Sequence, residues 1–129
     1  MPQVKVYGHR AALRAMQHEL SDVIHGCAVD ALAFPKEKRF QRFIALDDQD
    51  FIHPADRSER YVIVEVLMFE GRSVEAKKQF IRLLYERAKE RLQLSPMDLE
   101  LTLIETPRHN WGIRGLPGDE LELSYRVNV

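Results

Sequence analysis

The sequence of 129 residues has one cysteine, one tryptophan and no long uninterrupted apolar run. The single thiol, Cys27, excludes an internal disulfide and fits a reducing compartment. The longest apolar stretch, Val62 to Phe69, is broken by Glu65 and falls short of the roughly 20 residues that span a bilayer. Met1-Pro2-Gln3-Val4-Lys5 has no apolar segment behind its basic residue, so no signal peptide is expected and a soluble, cytoplasmic protein is. An excess of one charge is missing too. Nineteen basic and 20 acidic residues leave a net charge of -1, without the basic footprint of a nucleic-acid binder. Neither nucleic acid nor membrane is therefore expected as a partner.

What is present suits one α/β domain over 1–129. Apolar residues make up 45% of the chain, enough for a core that needs no metal or disulfide. Gln3 to Tyr7 alternates Val4 and Val6 with polar residues and reads as a strand that Gly8 closes. From Arg10 to Leu32 the apolar residues Leu13, Met16, Leu20, Val23, Ile24, Cys27, Ala28 and Leu32 recur three or four apart, the stripe of an amphipathic helix. Pro35 marks its end. Arg39 to Leu46 is a second strand. The polar stretch 47–60, with Pro54, is an irregular connection. Tyr61 to Phe69 has the β-branched and aromatic pattern of a strand buried on both faces, and Gly71 breaks it. Ser73 is placed to cap a second helix to Leu92, on whose apolar stripe Lys77 reaches out to solvent along its stem. Asp98 to Glu105 alternates as a strand; 106–119 is a glycine- and proline-rich loop or hairpin. Leu121, Leu123, Tyr125, Val127 and Val129 then alternate with polar residues, as in a half-buried last strand at an edge or against a neighbouring subunit.

The two halves, about 2–46 and 61–105, correspond. Gly8 and Gly71 stand 63 apart, and Pro35 and Pro96 stand 61 apart. The pattern predicts a duplicated β-α-β unit with pseudo-two-fold symmetry. Parallel pairs lie within each half and the helices on one sheet face, followed by a C-terminal hairpin and strand at 106–129.

Three places could carry chemistry. If Met1 is removed, Pro2 becomes a terminal secondary amine, and an α-amino group ordinarily titrates near about 8. Apolar walls or a nearby guanidinium lower that value and make the neutral amine a base for removing a proton beside a carbonyl. Taken alone, Met-Pro is a common beginning without chemical meaning. Arg72, in Phe69-Glu70-Gly71-Arg72-Ser73, sits where a strand ends and a helix begins, a place suited to a carboxylate or equally to a surface arginine. Trp111, in a glycine-bounded loop, suits a pocket wall or a subunit contact better than a core. Elsewhere the bland account is preferred. Lys36, Lys38, Arg39 and Arg42 read as a solvated strand start, Asp47, Asp48 and Asp50 as loop polarity, and His18 and His25 as surface histidines. Cys27 reads as a small core residue. No metal set and no cofactor is expected. Glu65, inside the strongest strand, needs a polar layer or a cationic partner.

Taken in order, Glu70-Gly71-Arg72-Ser73, the helix to Leu92, Ser95-Pro96, Leu99 to Glu105 and Trp111-Gly112-Ile113 with Gly115 resemble the tautomerase superfamily. The second half looks like a subunit of the 4-oxalocrotonate tautomerase family. The whole chain looks like the long fused members, among them the malonate semialdehyde decarboxylase family. The first half supplies the superfamily's N-terminal proline as Pro2. The resemblance implies that Pro2 is the catalytic amine and that Arg72 holds the carboxylate of a small 2-oxo acid or enol. Trp111 would wall the pocket, and the molecule would be a homotrimer. The second substrate arginine of the short enzymes falls near Glu100 here; Arg39 or Arg42 could replace it, and register does not choose between them. The decarboxylases carry aspartate where Lys38 stands and arginine where Glu70 stands. Keto–enol tautomerisation is therefore the first expectation. Decarboxylation or hydration with a protonated Pro2 is the second, and a trimeric scaffold without chemistry the third.

Overall fold

The structure is a computed structural model and describes residues 2–129, so the expected removal of Met1 lies outside the described residues. Strand β1 (Gln3–His9), helix α1 (Arg10–Leu32) and strand β2 (Gln41–Leu46) form the first half. Strand β3 (Val62–Phe69), helix α2 (Val74–Leu92) and strand β4 (Leu99–Thr106) form the second. The sheet order is β2-β1-β3-β4. β1 and β2 are parallel, β3 and β4 are parallel, and the halves meet across an antiparallel β1–β3 pair, which is the pseudo-two-fold expected of a duplicated unit.

Both helices end alike. Ala33 (φ 57°) and Gln93 (φ 52°) adopt the left-handed conformation, and the N–H groups of Phe34 and Leu94 return to the carbonyls of Ala28 and Ala88. This closes off carbonyls that a helix end leaves open. At the other end of α2, Ser73 Oγ accepts the Ala76 N–H at 3.1 Å, the cap read from the sequence. The two apolar stripes cover one sheet face: Leu13, Leu20, Ile24, Phe80 and Leu84 are fully buried against Val6, Val62, Val64 and Val66. Each such side chain contributes about 1.5–3 kcal/mol.

Several expectations are corrected. β1 does not stop at Gly8 but runs to His9; a Cβ at Gly8 would stand 3.2 Å from Leu13 and Val62, so glycine is there for close packing, not to end a strand. β3 alternates buried and half-buried positions, because only one face of the sheet is covered by helices. Glu65 sits on the uncovered face, where Tyr7 donates its phenol to it at 2.5 Å. That bond is the main reason the Tyr7 phenol titrates above its ordinary range. Lys77 is half-buried, and its ammonium pairs with Glu105 at 2.7 Å rather than ending free in solvent. His25 is buried and its Nε2 is 2.8 Å from the Lys36 carbonyl. Residues 121–129 keep the half-buried alternation without being a strand: among the described residues they pair with no strand, and they lie over the start of α2, where Ser73 Oγ donates to the Val129 carbonyl.

Cys27 is fully buried on the α1 stripe, and burial pushes its thiol up to about 11 against the opposing pull of Arg87. The native protein should resist iodoacetamide at about pH 8, under conditions that label the denatured chain fully. Rapid labelling of the native form would show that α1 opens.

Candidate functional site

The topology gathers five chain segments at one end of the sheet. β1 and β2 begin there, β3 and β4 end there, and α2 starts there. Gln3 faces Leu67 across the β1–β3 pair, which leaves Pro2 beside the Met68–Phe69 end of β3. Pro2 is in phase with Val4 and Val6, on the helix-covered face, and is buried.

Arg72 comes three residues after Phe69, past Gly71, whose φ of 131° a side chain would strain. A Cβ at Gly71 would also stand 2.9 Å from the Asn128 side chain. Arg72 is only 5% exposed. Its Nε donates to the Leu32 carbonyl at 2.8 Å, and its guanidinium lies 4.8 Å from the Phe34 ring centroid. Its Nη2 has no hydrogen-bond partner among the described residues. Burial lowers the pKa of Arg72, while Tyr125 and Glu105 pull it back up. A buried cationic donor without an acceptor is costly, and an anionic oxygen would relieve it.

Trp111 closes the same end. Its Nε1 donates to Thr106 Oγ1 at 2.6 Å, and its ring packs edge-on against Phe69 at 5.2 Å. With the short hairpin of β5 (Gly112–Ile113) and β6 (Leu116–Pro117), it lines a hollow of about 410 Å³. Arg108 lies 5.5 Å from the Phe69 ring centroid and donates to the carbonyls of Gly118 and Leu121. Gly118 is required there, since a Cβ would stand 2.4 Å from the Arg108 carbonyl oxygen.

Of the two first-half arginines, Arg39 is engaged by Asp22 at 2.6 Å, on the α1 side of the sheet edge. Arg42 donates to Gln3 at 2.7 Å and shares the uncovered sheet face with Lys5. Both line a hollow of about 280 Å³ with Gln3, Phe40 and Gln41. A groove of about 620 Å³ between α1 and β2 is open and polar, and its Arg14 and Arg39 already hold Gln17 and Asp22. No site is assigned to it. Among the described residues, no three His, Cys, Asp or Glu side chains gather as a metal set would.

Sequence reasoning missed Phe34, Arg108 and Tyr125. Burial raises the Tyr125 phenol, and Arg72, Arg108 and Arg114 draw it down. The strict alternation of 121–129 marked Tyr125 as inward-facing, but nothing in the sequence indicated the wall it would face.

A family model described as "Tautomerase enzyme" matches residues 38–114, more than half of the chain. Among solved structures, malonate semialdehyde decarboxylase is 24% identical over 89% of this chain and 93% of its own, with a TM-score of 0.78. A native fused 4-OT is 21% identical over 92% of this chain and 98% of its own, also at 0.78. A fused 4-OT described as an asymmetric trimer is 18% identical over 91% of this chain and 96% of its own, with the same score. These likenesses extend over both halves and establish the fold.

Proposed function

Because the chain belongs to the tautomerase enzyme family, we propose that it is a keto–enol tautomerase of small 2-oxo acids, working through the amine of Pro2 once Met1 is removed. The observation that carries this reading is the orphaned, buried Arg72 Nη2 at the sheet end where Pro2 is also buried. The substrate carboxylate accepts from Nη2, a charge-assisted bond in a water-poor setting. Neutral Pro2 takes a proton from the enol oxygen. The electron pair left behind forms the keto carbonyl as the former enol carbon receives a proton, so the net change is isomerisation. Arg72 is in place before charge develops and spares the cost of reorienting solvent around the enolate. Trp111 and Phe69 limit access of water. Arg42, bonded to Gln3 on the other face of β1, and Arg39, paired with Asp22, would add only long-range positive potential to this end of the sheet.

By likeness to the fused 4-OT trimers, the assembly is a homotrimer. The uncovered sheet face, with Lys5, Tyr7, Arg42 and Glu65, would be its polar inner layer.

A second reading is decarboxylation or hydration, favoured by the likeness to a decarboxylase with described hydratase activity. It requires a protonated Pro2 that polarises a carbonyl, and Lys38 and Glu70 oppose it.

Two measurements decide. Intact mass should show the chain without Met1. An ultraviolet assay should show enol-to-keto conversion of a 2-oxo acid and little with its carboxamide, which cannot pair with Arg72. Retained Met1, or equal rates in the parent and Pro2→Ala, would leave the scaffold reading; equal rates on acid and amide would remove the carboxylate role of Arg72.

A further inference from the structure

At the opposite end of the sheet the connection between the halves is held by a pair of histidines. His9, the last residue of β1, places Nε2 at 2.7 Å from Nε2 of His53. His9 Nδ1 is 2.9 Å from Asp48 Oδ1, and His53 Nδ1 is 3.0 Å from the Pro54 carbonyl. The partners assign the protons. An ionised carboxylate and a carbonyl can only accept, so both Nδ1 atoms carry hydrogen. The two Nε2 atoms can then approach to 2.7 Å only if one hydrogen lies between them, since two lone pairs at that distance repel. Three hydrogens on four ring nitrogens make the pair a singly charged unit, one imidazole sharing a proton with one imidazolium.

The surroundings suit such a unit. Phe51 and Tyr61 stack at 5.4 Å and enclose both rings, with His9–Phe51 at 5.0 Å and His53–Tyr61 at 4.9 Å. The His9 side chain is 12% exposed, whereas Asp48 is 91% exposed and offers the proton a way to solvent. The other charges nearby are spoken for. Arg10, at the start of α1, holds Asp47, and Arg57, beside the Tyr61 ring, holds Asp56 and Glu100. Burial pushes the Tyr61 phenol up, so it stays neutral where histidines titrate. The spacing argues for a proton over a metal ion: zinc–nitrogen bonds of about 2.0–2.1 Å would hold two nitrogens of a tetrahedral site about 3.3 Å apart.

We infer that the His9–His53 pair is a pH-sensitive latch, one shared proton pinning the 47–60 connection to the end of β1. The folded chain binds this proton and the unfolded chain, with its rings apart, does not share it. The latch is therefore closed while the pair holds a single shared proton; it opens as pH rises and that proton leaves, and it also opens well below the histidine range, where both rings are charged and repel. The inference is independent of the Pro2 chemistry.

The ring nitrogens of the native protein can be followed by ¹⁵N NMR from about pH 5 to about pH 9, near the ordinary histidine value of about 6.5. Both rings should change together in one shared step, with a strongly downfield ring N–H lost at its upper end. Amide exchange at residues 48–53, corrected for its intrinsic pH dependence, should speed up about tenfold across the same step. In His53→Gln, which donates and accepts without titrating, that pH-linked change should vanish. Independent titration of the two rings in the native protein, or exchange insensitive to the step, overturns the latch even if the variant does not fold. Stoichiometric zinc binding that removes the ring protons overturns it in favour of a metal pair.

Discussion

Pro2→Ala should lower kcat/KM toward a 2-oxo acid by about two to four orders of magnitude, the usual contribution of a positioned general base. Alanine is small enough to let Met1 be removed, so the variant still presents an α-amine. What it loses is the ring, which fixes φ and with it the direction of the nitrogen lone pair. An amine displaced by about 1 Å loses on the order of a hundredfold. The circular dichroism spectrum should not change, because Pro2 precedes β1 and donates to no ladder. The pH profile of the parent separates the two catalytic readings. A neutral base gives a rate that rises with pH and levels off above the pKa of the amine. A protonated Pro2 gives the mirror image, with activity lost as pH rises through the same value. Parent and variant at equal rates would remove the amine from the chemistry altogether.

The fold was legible because its evidence is local. The stripes of Arg10–Leu32 and Val74–Leu92 and the Ser73 cap depend on neighbours three or four residues away, and α1 begins and ends where periodicity puts it. The duplicated spacing then leaves one sensible sheet order. Partners in space were not legible. Gly8 reads as a strand breaker, but what it spares is a close approach to Leu13 and Val62 across the core. His25 reads as a surface residue because the Lys36 carbonyl it bonds lies beyond the helix end. Asp48 reads as loop polarity because the histidine it holds is 39 positions away. Within the site, Pro2, Arg72 and Trp111 were singled out and fall at one end of the sheet, because motif and strand order carry that information. Phe34, Arg108 and Tyr125, which surround them, come from a helix end, a turn and the C-terminal segment, where pattern says only in or out.

Arg72→Met should part function from stability. The unpaired Nη2 is a buried donor whose lost hydration costs the folded state about 1–3 kcal/mol. Methionine removes that cost and keeps much of the side-chain volume against Phe34. It gives up the bond to the Leu32 carbonyl, about 0.5–1.5 kcal/mol, and the cation–ring contact, about 0.5–2 kcal/mol. The opposing contributions are of equal size, so the melting temperature should stay close to that of the parent, within the few degrees that about 1 kcal/mol represents. Activity has no such compensation. Truncating one side of a buried charged contact costs about 2–5 kcal/mol, so kcat/KM for the carboxylate substrate should fall at least about thirtyfold. The amide analogue, which never used the charge, should lose nothing. A structural arginine predicts the reverse, with stability lost and the ratio of acid to amide unchanged. A stable variant that no longer tells acid from amide is the result expected of an arginine left unpaired for its substrate.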